Sequence, residues 1–194
     1  ILRDLSCLKC FDLQKLADDL KQGGVAVEQV NEVDSTSKNG LDLIKKYSIA
    51  VLPAIMFSKD LFDYPQIQAQ WKELGSQEAD GTLVLRRLQP PYIDLKTGNV
   101  LGLVERIDLT DKTCKECYNI SIQDNLITAL AISVSKHSAY DISSEQGKTL
   151  LKKYSIASVP TIILSNDAFY YLQFNQSFEE LGSKESDGSF VFRK

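Results

Sequence analysis

The chain has 194 residues, 43% of them hydrophobic and 25% charged, and a net charge of −4. That balance is ordinary for a globular protein and offers no basic face, which argues against nucleic acid as a partner. No apolar run approaches the length needed to cross a bilayer, and the length suits either one large domain or two small ones.

An internal repeat decides for two. Lys45-Lys46-Tyr47-Ser48-Ile49-Ala50-Val51-Leu52-Pro53 returns as Lys152-Lys153-Tyr154-Ser155-Ile156-Ala157-Ser158-Val159-Pro160, 107 residues later. Sliding the chain over itself by 107 gives 31 identities in the 85 ungapped pairs from Leu2 to Arg86. They cluster at both ends of the unit. Between Phe11 and Val33 only Val27 matches. The expected division is domain 1 over 1–87, a Pro-rich linker over 88–99 and domain 2 over 100–194. Each unit is large enough for one modest core.

Taken in order, Leu2–Asp4 reads as the stub of a first strand, and its copy as a longer strand over about Val100–Leu109. A helix is expected after Cys7, with Phe11, Leu16, Ala17 and Leu20 near one face and Gly23-Gly24 as its stop. A second strand should run from Val25 to about Asp34. In the second unit Asn125–Ala131 reads as helix and Ile132–Lys136 as strand. Ser35–Lys46 and Ser143–Tyr154 read as the second helices, with Leu41, Ile44 and Tyr47 at helical spacing. After each proline comes a short apolar run, Ala54–Phe57 and Thr161–Leu164, expected as a buried central strand.

An amphipathic segment follows in each unit. Ile67, Trp71 and Leu74 are spaced i, i+4, i+7, as are Phe174, Phe178 and Leu181, and Pro65 suits a first helical turn. Asp80-Gly81 and Asp187-Gly188 signal turns. Leu83–Leu85 and Phe190–Phe192 close the pattern as strands. Leu88–Tyr92, with two prolines, reads as a stiff extended linker.

The chemistry lies in four cysteines, all in Cys-x-x-Cys pairs: Cys7 with Cys10, and Cys114 with Cys117. Each first cysteine stands 46 residues before its proline, Pro53 or Pro160. Two pairs could form a zinc site, but that usually needs a gap of about 15–20 residues, whereas Cys10 and Cys114 lie in different repeats. Inert structural disulfides are the other alternative. His137, the only histidine, reads as an exposed strand-end residue, which argues against a Cys–His hydrolase.

A paired cysteine motif followed at a fixed distance by an apolar residue and proline resembles the thioredoxin superfamily, and nearly the whole chain fits two such units in tandem. The resemblance implies an α/β fold: two thioredoxin-like domains, each a central mixed β-sheet flanked by helices. It implies a protein thiol–disulfide oxidoreductase without a cofactor or metal, acting on protein thiols and disulfides, with a redox partner protein in view. Cys7 and Cys114 would be nucleophiles and Cys10 and Cys117 resolving thiols, with each pair at a helix start, where the dipole stabilises a thiolate. Pro53 and Pro160 would follow cis peptide bonds, and Leu52 and Val159 would offer their backbone to an extended substrate. Asp108 holds the place of a buried carboxylate that moves the resolving thiol's proton. Its copy is Ile1, so unit 1 lacks that group. Asp4 and Asp111 read as turn or capping residues. The rival from another class is a redox-inactive peptide-binding or scaffold module.

Ile1 falls inside the expected first strand, so the sequence reads as a piece of a longer chain. An upstream targeting segment or membrane anchor would place it outside the cytoplasm or at a membrane. Between the cysteines, Leu8-Lys9 puts one positive charge beside the first thiolate, whereas Lys115-Glu116 carries both signs. A stabilised thiolate favours the reduced form, so unit 1 is expected to be the stronger oxidant. Reduction potentials measured on each pair separately test this; a higher potential at Cys114–Cys117 would refute it.

Overall fold

The structure is a computed structural model that describes residues 1–193. It divides the chain into two units, Ile1–Val100 and Leu101–Lys194. Both are mixed α/β, and six α-helices occur among the described residues.

In unit 1 the elements run β1 (Leu2–Arg3), α1 (Leu13–Gln22), β2 (Val33–Asp34), α2 (Lys38–Lys46), β3 (Val51–Leu52), β4 (Met56–Phe57), α3 (Pro65–Leu74), β5 (Gly75–Gln77), β6 (Leu83–Leu85) and β7 (Tyr92–Asp94), and β8 (Val100–Leu101) falls at the division. Local chemistry sets the helix ends. The Asp12 carboxylate accepts the Gln14 N–H and caps α1, the Ser37 hydroxyl accepts the Gly40 N–H and caps α2, and Pro65 opens α3; all three satisfy or remove donors that a first turn leaves unpaired. The buried face of α1 is Leu13 and Ala17, i and i+4. Leu41 is exposed on α2, while Leu43, Ile44 and Tyr47 pack inward.

β1 pairs in parallel with β2 and makes an antiparallel bridge from Leu2 to Ala54, while β4, β6 and β5 form an antiparallel sheet. The strand expected over Val25–Asp34 shrinks to Val33–Asp34. A strand needs a neighbour for its N–H and C=O groups, and β1 offers two residues. Val25–Asn31 instead lines a cavity of about 620 Å³ against Ile55–Ser58.

The segment 88–99, read as a linker, is built into unit 1. β7 pairs antiparallel with β3, placing Ile93 opposite Leu52 and Asp94 opposite Val51. Pro90 and Pro91 are buried and joined by a cis peptide bond. The cause is apolar: Ile93 and Leu95 pack on the cluster of Leu2, Ile49, Leu52 and Val84, burial that outweighs the extended bias of two prolines.

Unit 2 runs β9 (Val104–Thr110), α4 (Gln123–Ala129), β10 (Val134–Asp141), α5 (Glu145–Lys153), β11 (Thr161–Leu164), α6 (Leu172–Ser177), β12 (Gly182–Lys184) and β13 (Phe190–Phe192). The expected strand over Val100–Leu109 is broken at Gly102, whose φ is +86°, a value glycine adopts freely. One sheet holds the order β10-β9-β11-β13-β12, with β9 and β10 parallel and the other neighbours antiparallel. Alternation along the strands sends Val104, Ile162 and Leu164 to a face filled by Phe174, Phe178, Phe190 and Phe192. Leu109, Ile163 and Val191 go to the other, under Tyr154 and Leu150.

Helix α2 and its copy α5 approach their neighbouring strands so closely that only glycine fits. A Cβ on Gly40 would stand 2.1 Å from the Asp34 carbonyl oxygen, and one on Gly147 2.1 Å from that of Asp141. The ends of the same helices are held by arginine. Arg86 Nη2 donates to the Tyr47 carbonyl at 2.6 Å and to the Glu78 carboxylate at 2.9 Å, and its Nε donates to Ser76 Oγ at 2.8 Å. Arg193 repeats this on Tyr154 (2.7 Å), Glu185 (2.8 Å) and Ser183 (2.8 Å). Beside each arginine, the tyrosine hydroxyl donates to Asp80 or Asp187 at 2.9 Å. Lys46 and Lys153 pair with the same carboxylates at 2.6 and 2.7 Å. These lysines are therefore tied to the turns after β5 and β12.

The lysine hydrogen bonds hold the Asp80 and Asp187 carboxyls well below the usual carboxylate range. A carboxylate harder to protonate folded than unfolded stabilises the fold above the ordinary value of 3.8, and that contribution is lost as pH falls below it. The Asp80→Asn/Asp187→Asn variant is expected to show a shallower loss of helical circular dichroism below about pH 4 than the parent.

Candidate functional site

Cys7 and Cys10 form one disulfide and Cys114 and Cys117 the other, and no free cysteine occurs among the described residues. Each pair lies in the loop that follows β1 or β9. An aspartate shapes that loop. Asp4 accepts the Ser6 N–H and hydroxyl at 2.8 and 2.6 Å, and Asp111 does the same for Thr113 at 2.8 and 2.7 Å. The Cys7 and Cys114 N–H groups donate to the Asp4 and Asp111 carbonyls, both at 3.2 Å. Both aspartates are turn residues.

The cysteines do not start the helices. α1 begins at Leu13, beyond Cys10, with its first donors turned to Asp12. In unit 2 a 3-10 turn, Ile120–Ile122, capped by Asn119, precedes α4. A short Asp or Asn side chain accepts from first-turn N–H groups in good geometry and takes the place in which the sequence put a thiolate. All four cysteines are half-buried, while Leu8, Lys9, Lys115 and Glu116 between them are exposed; Leu8 reaches 93%.

The prolines come to the cysteines. The Leu52–Pro53 and Val159–Pro160 peptide bonds are cis. Cys117 Sγ lies 3.8 Å from the Val159 carbonyl oxygen, and the Tyr118 hydroxyl donates to the Pro160 carbonyl at 3.0 Å. In unit 1, Pro53 lines a cavity of about 270 Å³ together with Cys7, Cys10, Leu5, Leu8 and Phe11. The 620 Å³ cavity has no cysteine on its wall.

The residues before the prolines differ. Leu52 is 2% exposed and already faces Ile93 across the β3–β7 ladder, so its main chain has a neighbouring strand. Val159 and Pro160 are half-buried, Ser158 is exposed, and no strand pairs with them among the described residues.

Asp108 is buried, as expected from its copy Ile1 on a strand, but its partners are not sulfur. Arg106, two residues earlier and on the same face of β9, holds it with two bonds of 2.6 and 3.0 Å. His137 Nε2 lies 2.9 Å from Oδ2, the oxygen that also accepts from Arg106 Nη2, and Asp124 at the start of α4 takes the remaining arm of Arg106. His137 is exposed, as expected, but lies within β10 and not at a strand end. Among the described residues no three His, Cys, Asp or Glu side chains converge as a metal site, and no helix is long and apolar enough to cross a membrane.

The sequence reading missed β7, the Tyr118 hydroxyl and Arg106. Only Arg106 left a signal: an arginine two places before an aspartate in a strand shares its face. Comparison with protein-family models, with curated proteins and with solved structures finds no match.

Arg106 and Asp108 are each 6% exposed, whereas the Asp124 side chain is 56% exposed. Asp108→Ala would strip a buried guanidinium of its main counter-charge and should cost unit 2 about 3 kcal/mol. Asp124→Ala should cost no more than about 1 kcal/mol. Urea unfolding of the two variants checks the contrast.

Proposed function

We propose that this chain is a thiol–disulfide oxidoreductase of two tandem thioredoxin-like units, exchanging disulfides with cysteines of other proteins through Cys7–Cys10 and Cys114–Cys117. The observation that carries the reading is the half-exposed disulfide set against the proline loop in both units. The strand arrangement supports it: in unit 2 a parallel pair, β10 and β9, continues into the antiparallel strands β11 and β13. A staple is the weaker reading on energetic grounds. Each disulfide closes a ring of one Cys-x-x-Cys, with a sequence separation of 3. So small a loop constrains the unfolded chain by only about 2 kcal/mol.

In the forward direction a substrate thiolate attacks Sγ of Cys7 or Cys114. The bond to Cys10 or Cys117 breaks, and that sulfur leaves as a thiolate and takes a proton. A second substrate thiolate then attacks the mixed disulfide, freeing the first cysteine. Two electrons pass from the substrate dithiol, which becomes a disulfide, to the enzyme pair, which becomes two thiols. In unit 2 the position of Cys117 Sγ against the Val159 carbonyl suits the inner, resolving sulfur. Asp108 enters as the buried counter-ion of Arg106, and no proton step is routed through it.

The test is dithiothreitol-driven insulin reduction followed by turbidity. The parent should accelerate precipitation well above dithiothreitol alone, and the Cys7→Ser/Cys114→Ser variant should fall to the uncatalysed rate. No acceleration by the parent would end the proposal.

A further inference from the structure

The segment between the repeats lies across the first site in the way a bound peptide would. Tyr92–Asp94 runs antiparallel to Val51–Leu52, immediately before Pro53. The Leu95 N–H extends the ladder by donating to the Ala50 carbonyl at 2.9 Å, and the Pro91 carbonyl accepts the Phe11 N–H, next to Cys10, at 2.7 Å. Main chain from 91 to 95 is therefore bonded both to the loop of the disulfide and to the strand that leads into the proline. Leu52 and Pro53 are buried beneath it. In unit 2 the matching residues Ser158, Val159 and Pro160 are exposed or half-buried and pair with no strand among the described residues.

We infer that β7 is a built-in occupant of the first site's peptide edge, so that Cys7–Cys10 exchanges with small thiols and Cys114–Cys117 with thiols on extended polypeptide segments. This rests on the disulfide-exchange reading above. An incoming polypeptide gains affinity at a sheet edge through main-chain hydrogen bonds, and at Val51–Leu52 the chain's own strand holds that position. The route left to the first pair is the cavity of about 270 Å³ bounded by Leu5, Leu8, Phe11 and Pro53. That space admits a compact thiol more readily than a strand. At the second pair, Ser158–Val159 offers an edge beside Cys117, and the Tyr118 hydroxyl holds the Pro160 carbonyl.

The experiment uses the full chain with one pair left in each variant: Cys114→Ser/Cys117→Ser keeps the first, and Cys7→Ser/Cys10→Ser keeps the second. Each oxidised protein is mixed with dithiothreitol, or with a reduced synthetic peptide carrying Cys-x-x-Cys in an extended, valine-rich sequence. Loss of the protein disulfide is read by alkylation and mass. Dithiothreitol should reduce both pairs, and the peptide-to-dithiothreitol rate ratio should be about tenfold or more higher at the second pair. Placing Ile93→Pro in the protein that keeps the first pair removes a ladder donor and should raise that pair's ratio severalfold. Equal ratios at the two pairs, with dithiothreitol active at both, would overturn the inference and leave disulfide exchange standing; Leu8, 93% exposed, would then suffice to dock a polypeptide. Failure of dithiothreitol at both pairs would overturn the exchange reading itself. Should Ile93→Pro unfold unit 1, the comparison of the two parent pairs still decides.

Discussion

The approach to each cis proline depends on one arginine in each unit. A helix ends with carbonyls that have no partner within it, and at α2 and α5 the chain turns away at once through Ser48 and Ser155, both at a φ of +49°. Arg86 and Arg193 supply the missing donors in a fixed fork and bond on their other side to Glu78 and Glu185 in the closing hairpin. The helix end, the hairpin and the loop that runs to the cis proline become one rigid piece. The two most repeated stretches of the sequence, around Tyr47 and around Gly75, are the two sides of this single contact. What the duplication preserved best is thus the frame that aims the proline loop.

The disulfide loops themselves carry little regular structure. Asp4 and Asp111 fold them, Asp12 and Asn119 start the chain that follows, and the prolines bound them on the other side. The units then diverge. Unit 2 has a long β9 with a buried Arg106–Asp108 pair, while unit 1 has a two-residue β1 and an added strand, β7. The added strand touches the site directly, because it pairs with the residue just before Pro53. Two sites that share a frame therefore present different edges.

Much of this could be read from the residues. The helical spacing of Leu41, Ile44 and Tyr47 located α2, the repeat located α5, Pro65 located the start of α3, and apolar runs after each proline located β4 and β11. The cysteine-to-proline spacing pointed to groups that lie close in the fold, Cys117 against Val159 and Pro53 on one cavity wall with Cys7 and Cys10. Long-range pairing was harder to see. Gly75–Gln77 and Gly182–Lys184 have no β propensity and become strands only because Leu83–Leu85 and Phe190–Phe192 lie beside them. Val25–Asn31 has the propensity but lacks a strand to pair with. Tyr92–Asp94 was hidden behind two prolines, and its burial depends on Leu2 and Leu52, far away in sequence. The helix starts shifted past the cysteines because Asp12 and Asn119 compete for the same N–H groups. The helix starts are decided by these local caps; the strand misses are tertiary context overriding a local preference.

The smallness of the sulfur rings has a further meaning. No strand or helix is tethered through them, since each spans a single turn of irregular chain. The sheet pairings run between strands that lie wholly outside both rings. A reductant that opens either ring would cut no covalent link between two strands, or between a strand and a helix.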